Sequence, residues 1–272
     1  MHQITFITYP GFELLDISGP ASVFSSANHV LALAERPTFY AVDVTSAEGG
    51  PVVSSSGITV EARSFELRAK QAIDTLLVVG AERERLMPAL ADPLLSQWVP
   101  QLAAKATRLG SVCSGAFILA RLGLIDGCRI ATHWDACAPL AAAFPSVLVD
   151  PDSLYVVDGR LWTSAGVTTG IDMALAMVAQ DLSADIAGQV AKRLVLYARR
   201  PGYQSQFSPL LQAQVNADSP FADLIAWILA NLDAPLNVST LAKRVGLSER
   251  TFHRKFVVAT GQTPARFVET AR

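Results

Sequence analysis

Cysteine is scarce in this chain, which has three thiols in 272 residues: Cys113, Cys128 and Cys137. Three cannot all pair, and their spacing fits no metal template, so neither a disulfide framework nor a zinc site organises the fold. Long apolar runs are missing as well. Nothing approaches the roughly 20 apolar residues that cross a bilayer, and no basic start followed by an apolar stretch marks a secretion signal. Charge is sparse, at 17% of residues with a net of −2, and no internal repeat is evident. These absences predict a cytoplasmic protein with reduced thiols, no membrane attachment, no metal and no cofactor.

What is present is enough to fill a core. Apolar residues make up 51% of the chain, well above a disordered composition, and the length suits one large domain plus one small one. The charge is unevenly spread. From Ser219 onward seven basic residues stand against four acidic ones, a surplus of three that leaves −5 on the rest. An acidic body with a basic tail is the asymmetry expected when only the tail meets nucleic acid.

Strand and helix patterns alternate through the first two hundred residues. Ile4–Tyr9, Phe39–Thr45, Thr75–Gly80 and Arg108–Val112 read as short apolar strands. Leu14–Leu33, Pro93–Thr107 and Gly115–Leu122 have helical spacing, the last with a stop at Gly123. Strands apolar throughout and separated by helices predict an α/β fold, a parallel sheet covered on both faces. Leu154–Ser164 reads as a hairpin about Asp158-Gly159, and Gly170–Gln180 and Ala184–Tyr197 as helices packed back on the sheet. The composition then changes: Arg199–Ser219 is polar and broken by Pro and Gly, the signature of a linker.

Cys113 lies where a strand pattern becomes a helix pattern, in Ser111-Val-Cys-Ser-Gly115. Ligands bind at the carboxyl ends of strands in such folds. A nucleophile on a sharp strand-to-helix turn is lifted out of the sheet, and small neighbours permit that turn. A thiol at a helix N-terminus is expected to favour thiolate. The alternative is an inert, buried cysteine. Cys128 and Cys137 read as helix-packing residues, and Glu13 as a solvated loop charge.

Four segments in order carry a resemblance: Tyr9-Pro-Gly-Phe-Glu-Leu-Leu-Asp16-Ile-Ser-Gly19-Pro20, Ser-Val-Cys113-Ser-Gly-Ala, Ala-Thr-His133-Trp134 and Thr163-Ser-Ala-Gly166. Over roughly Ile4 to Tyr197 the chain resembles the ThiJ/PfpI branch of the glutamine-amidotransferase-like superfamily, and within it the GlxA-type AraC-family regulators. The resemblance implies a flavodoxin-like domain with Cys113 on the turn and Asp16 leaning on the thiol, a carboxyl that must stay protonated if it is to donate a hydrogen bond there. It implies that His133 polarises the thiol, lines the pocket or bonds between strand and helix, and that Gly80, Ala81, Ser114 and Trp134 contact a ligand. Two departures weigh against an enzyme. Ser114 stands where peptidase members carry histidine. The family's Pro-Gly-Gly reads Val79-Gly80-Ala81 here, where backbone N–H groups would form an oxyanion hole facing the thiol.

The tail carries a second pattern. Phe221–Leu232 is amphipathic, and Val238–Phe256 reads as helix-turn-helix. Ser239 is expected to cap the first helix, which buries Leu241, Ala242 and Val245. Gly246 makes the turn, and Ser248 caps a second helix that buries Phe252 and Phe256. That leaves Arg250, Thr251, His253, Arg254 and Lys255 for DNA; the plainer alternative is a solvated basic face on a small bundle. Pro235–Arg272 resembles the first half of the AraC/XylS DNA-binding module, with Thr263 as cap and Pro264 opening the next helix. The family module is about twice as long, so the second half is expected to be missing after Arg272.

The sequence thus predicts a sensor domain over 1–198, a linker over 199–219 and a DNA-binding half-module over 220–272. The function it favours is a homodimeric transcription regulator responding to a small metabolite, which the resemblance makes a nitrogen-containing or amine compound. The alternative is an enzyme using Cys113 and Asp16, with isonitrile hydration or glyoxalase-like chemistry.

Overall fold

A computed structural model describes residues 1–197, 200–204, 206, 221–260 and 262–271. The chain divides into two compact units, Met1–Gln206 and Phe207–Arg272.

The first unit is built on six parallel strands: β1 (His2–Ile7), β2 (Tyr40–Ser46), β4 (Thr59–Ser64), β5 (Thr75–Val78), β6 (Arg108–Val112) and β10 (Leu161–Ser164). Each edge is finished by an antiparallel hairpin. β3 (Gly50–Val53) pairs with β4 (Thr59–Ser64) on one side, and β9 (Tyr155–Asp158) pairs with β10 on the other. The sheet order is β3-β4-β2-β1-β5-β6-β10-β9. All four residues of β5 are buried, because helices cover both faces of the sheet and leave no polar side. On one face α1 (Leu15–Leu33), α7 (Thr169–Asp181) and α8 (Ala184–Arg193) enclose Phe6, Phe24, Val112, Trp162 and Met173. On the other, α2 (Phe65–Ala69), α3 (Arg83–Ala91), α4 (Pro93–Lys105), α5 (Ala116–Arg121) and α6 (Trp134–Ala143) cover Leu76, Val78, Leu109 and Leu161. A two-stranded parallel sheet, β7 (Arg129–Ile130) with β8 (Leu148–Val149), lies apart.

The flavodoxin-like α/β expectation holds, with a mixed sheet in place of a purely parallel one. The Asp158-Gly159 hairpin is present, Gly159 taking φ +58°. The β3–β4 hairpin and α3 had no clear signal, since Pro51 and Pro88 interrupt their patterns. Helix α8 ends at Arg193 and does not reach Tyr197. Val195 turns left-handed (φ 55°), and the Leu196 N–H donates back to Ala191 O at 3.1 Å, a Schellman-type stop made without glycine. At the strand starts, Arg108 and Tyr40 both bond Asp181 at the end of α7, at 2.6 and 3.0 Å, fastening that helix to the sheet.

The second unit is a helical bundle: α9 (Ala222–Ala230), α10 (Val238–Arg244), α11 (Glu249–Thr260) and α12 (Pro264–Ala271). Phe221, Phe252, Phe256 and Phe267 pack ring against ring at its centre, with centroids 5.3 to 5.8 Å apart. Leu241 and Ala242 are buried as the pattern requires, and Gly246 takes φ +66° between α10 and α11. Ser248 and Thr263 accept hydrogen bonds from Thr251 N and Arg266 N, both at 3.3 Å, and cap α11 and α12. The cap of α10 is not Ser239. It is Asn237, whose backbone is extended and whose side chain accepts from Thr240 N at 2.8 Å, which puts Ser239 inside the helix.

Within the linker stretch, residues 199, 205 and 207–219 lie outside the described residues; Arg200, Gly202 and Gln206 belong to the first unit and bond to its sheet and helices.

Candidate functional site

Strand β6 ends at Val112, and Cys113–Gly115 make a single 3-10 turn before α5 begins. Cys113 itself is left-handed, with φ 58°. That conformation presses Cβ toward the next carbonyl and costs about 1–2 kcal/mol in an L-residue, so the surroundings must impose it. They do so by close approach. A Cβ on Gly166 would run into Cβ of Cys113, and one on Gly80 would stand 2.6 Å from Ser114 N. The thiol is buried, 9% exposed.

Asp16, at the start of α1, sits beside this turn with no exposure at all. Its two oxygens accept backbone N–H groups from opposite walls, Gly80 at 3.0 Å and Val167 at 2.8 Å. Burial pushes its pKa up to about 7, while the Val167 and Gly80 N–H groups pull it back. The thiolate expectation fails here. Burial, and then the Asp16 charge, hold the Cys113 thiol far above its usual pKa, and the Ser114 N–H and hydroxyl only partly oppose them. A short helix behind a 3-10 turn offers too little dipole to win against desolvation.

The family's oxyanion hole, which Ala81 already counted against, is filled from within. Gly80 N–H is spent on Asp16. Ala81 N–H donates to Ser114 Oγ at 2.9 Å, and the Ser114 hydroxyl returns a bond to Ala81 O at 2.7 Å. The residue in the peptidase histidine position thus plugs the donors that an acyl or carbonyl oxygen would need.

Around the turn, Tyr9 is buried and donates to Val79 O at 3.1 Å; burial, then Asp16 and Cys113, push its phenol well up in pKa. Thr132, fully buried, donates to Cys113 O at 2.9 Å. The next residue, His133, makes no side-chain cap bond at the head of α6. Its ring leans on Trp134 at 5.3 Å, and burial lowers its pKa. No hydrogen bond joins its imidazole to the thiol or to a strand among the described residues. Trp134 is half exposed. Glu13 is not a free loop charge: its carboxylate accepts from Leu15 N and Ser55 Oγ, both at 3.2 Å. Cys137 is buried in α6 and Cys128 is half-buried. Away from the cysteine, an open groove of about 710 Å³ runs along α1 and the end of α8, lined by serines and Arg193. Among the described residues no group of His, Cys, Asp or Glu is placed to hold a metal ion, and no helix is long and apolar enough to cross a membrane.

In the helical unit Arg250, His253, Arg254 and Lys255 are exposed along α11. None of the ion pairs among the described residues engages these cations. Thr251 is half-buried and bonded to Ser248 Oγ, so it serves the cap. Arg244 is held over the Trp227 ring at 3.9 Å and ties α10 to α9.

The profile of the DJ-1/PfpI family matches residues 2–180. The chain belongs to the DJ-1/PfpI family. Among its relatives, the HTH-type transcriptional regulator CdhR of Pseudomonas aeruginosa is 30% identical over 264 residues, 96% of this chain and 75% of that regulator. The HTH-type transcriptional regulator GlxA of Rhizobium meliloti is 28% identical, covering 94% of this chain and 76% of its own. An isonitrile hydratase of Pseudomonas putida is 30% identical over 75% of this chain and 82% of the hydratase. In fold, a THiJ/PfpI family protein from Pseudomonas syringae superposes with a TM-score of 0.63 at 22% identity, covering 96% of this chain and 91% of that one. The regulators thus match across both units, whereas the hydratase match spans less of the chain.

In this DJ-1/PfpI chain two hydrogen-bonded sets, Asp16 with Gly80 and Ala81 with Ser114, meet beside the Cys113 turn, with Thr132, Gly166 and Val167 as walls. Val167 went unread as a site residue because its role is a backbone N–H, which any residue supplies; its neighbour Gly166 was the available signal.

Proposed function

We propose that the protein is a DNA-binding transcription regulator in which the α/β unit senses a small molecule at the Cys113 cluster and the helical unit grips DNA through α11. The observation that carries this reading is the extent of the match to regulators. Proteins named HTH-type transcriptional regulators align over nearly the whole chain, across both units. Exposed Arg250, Arg254 and Lys255 with His253 supply phosphate and base contacts, and Arg244 and Thr251 stabilise the helices that present them. The chain acts as a dimer in the cytoplasm, since two half-sites need two modules. Its effector is a nitrogen-containing metabolite. A protonated thiol and a hole plugged by Ser114 favour sensing over turnover, so the hydratase-like alternative is the weaker one.

The deciding experiment is binding of the chain to DNA upstream of its own gene as salt is varied. A steep fall in affinity with salt and a preference over unrelated DNA are expected. Negligible binding at low salt, together with turnover of an isonitrile that is lost in Cys113→Ala, would replace the regulator by the enzyme.

A further inference from the structure

The segment that leaves the α/β unit does not simply depart from it. Arg200 donates to Asp172 through its backbone N–H and through its guanidinium, the latter at 3.0 and 2.6 Å, and it reaches Thr168 Oγ1 at 3.0 Å. Asp172 is buried in the first turn of α7, so this is a charge-assisted, two-pronged anchor and not a surface pair. Two residues on, Gly202 O accepts the N–H groups of Leu154 and Tyr155, at 2.7 and 3.4 Å, at the start of β9. Only glycine permits that approach, because a Cβ there would stand 2.6 Å from Tyr155 O. Farther on, Gln206 donates its backbone N–H to Asp152 O at 2.9 Å. Its side-chain amide donates to Thr132 O at 3.0 Å, Ser153 O at 3.1 Å and Pro151 O at 3.4 Å.

One of these anchors, Thr132, is a wall of the cysteine cluster, and another, Thr168, adjoins one. Thr132 holds Cys113 O with its hydroxyl while its own carbonyl is held by Gln206. Thr168 follows Val167, whose N–H holds Asp16 and whose φ is +52°, and Gly166 lies against Cys113. Arg200 and Gln206 therefore grip, one at each end, the two loops that enclose the thiol. The side-chain amide oxygen of Gln206, Oε1, is buried without a hydrogen-bond partner among the described residues, which lowers the net gain of docking at this end.

We propose that Arg200, Gly202 and Gln206 act as a transmission strap, docked while the loops around Cys113 hold their present positions and released when a ligand there shifts Thr132 or Gly166–Thr168. The release frees the end of the α/β unit, from which the chain continues to the helical unit. This rests on the regulator reading, and it supplies that reading with a physical path from pocket to tail. Gln206 bonds directly to Thr132, which holds the cysteine turn, and Arg200 bonds to Thr168, two residues after the Gly166 that lies against it, so a shift of either loop strains the strap's hydrogen bonds.

Residue-resolved amide exchange in the full chain reads this coupling with neither effector nor DNA. In Arg200→Gln the amides of Leu154 and Tyr155 are expected to exchange about tenfold faster, with that of Val167 following. In Thr132→Val the pocket is disturbed first, and Leu154 and Tyr155 are expected to follow. A strap that loosens alone in the first variant, or holds unchanged in the second, overturns the proposal. If Arg200→Gln does not fold, Gly202→Ala opens the same segment through its clash with Tyr155. Binding to the gene's own upstream DNA separates the two readings. Affinity that differs between wild type and Arg200→Gln supports transmission, and equal affinity overturns it. Coupled exchange with no DNA binding by either protein keeps the strap and removes the regulator role.

Discussion

Asp16 is the residue on which the cysteine cluster turns. Its carboxyl titrates near 3.8 when free and near 7 in place. Between those values the folded state holds the extra proton, so the Asp16 contribution to stability is complete below about pH 4 and is lost as pH rises through about 7. Urea midpoints at pH 5.5 and pH 8 should therefore differ more in the wild type than in Asp16→Asn. The variant cannot offer two acceptor oxygens to Gly80 and Val167, and should be less stable by about 1–3 kcal/mol at either pH. A wild type and variant with equal pH dependence would show that the buried carboxyl does not titrate in this range. Gly166 gives a steric counterpart. At φ +88°, and with Cys113 Cβ where its own Cβ would go, Gly166→Ala should cost about 2–3 kcal/mol in chemical denaturation. It should also be the most disruptive single methyl that can be added to the cluster.

The helices of the tail make predictions of their own. Asn237→Ala should lower the stability of the helical unit by about 1 kcal/mol, whereas Ser239→Ala should be close to neutral, because only Asn237 holds an orphan N–H of α10. Thermal melts of the two variants check the pair. On α11, Arg250→Ala and Arg254→Ala should each weaken DNA binding and lower the salt slope by about one, while Thr251→Ala should act through helix stability. At this scale the sequence was a good guide wherever the signal was local. An apolar run buried on both faces gave β5, glycine at a positive φ gave the Gly246 turn, and hydroxyls before a helical pattern gave the Ser248 and Thr263 caps. Ser239 misled because Asn237, two residues earlier, competes for the same task. The oxyanion hole was only half legible: Ala81 in place of glycine counted against it, but not how its donors are used. Whether Ala81 N–H faces solvent or a side chain depends on Ser114, 33 residues away, and only packing brings the two together.

As a whole the molecule is two units, each with its own core, and they should unfold as two transitions. Phe256→Ala, in the aromatic centre of the tail, should lower only the helical transition, by about 3–5 kcal/mol, in calorimetry of the full chain. A shift of both transitions together would mean that the units unfold as one. The larger architecture was legible because alternating strands and helices admit few topologies. The edge hairpin at β3–β4 was not, since its strands are short and half exposed.

The state of Cys113 has one further consequence. Peroxide and disulfide stress act on thiolates within reach of solvent, and this sulfur keeps its proton, at 9% exposure, beneath two loops. The cysteine that marks the centre of the cluster is thereby poorly suited to report oxidation. Of the three thiols, half-buried Cys128 is the one solvent reaches more readily, and alkylation of the native chain is expected to begin there and leave Cys113 for last.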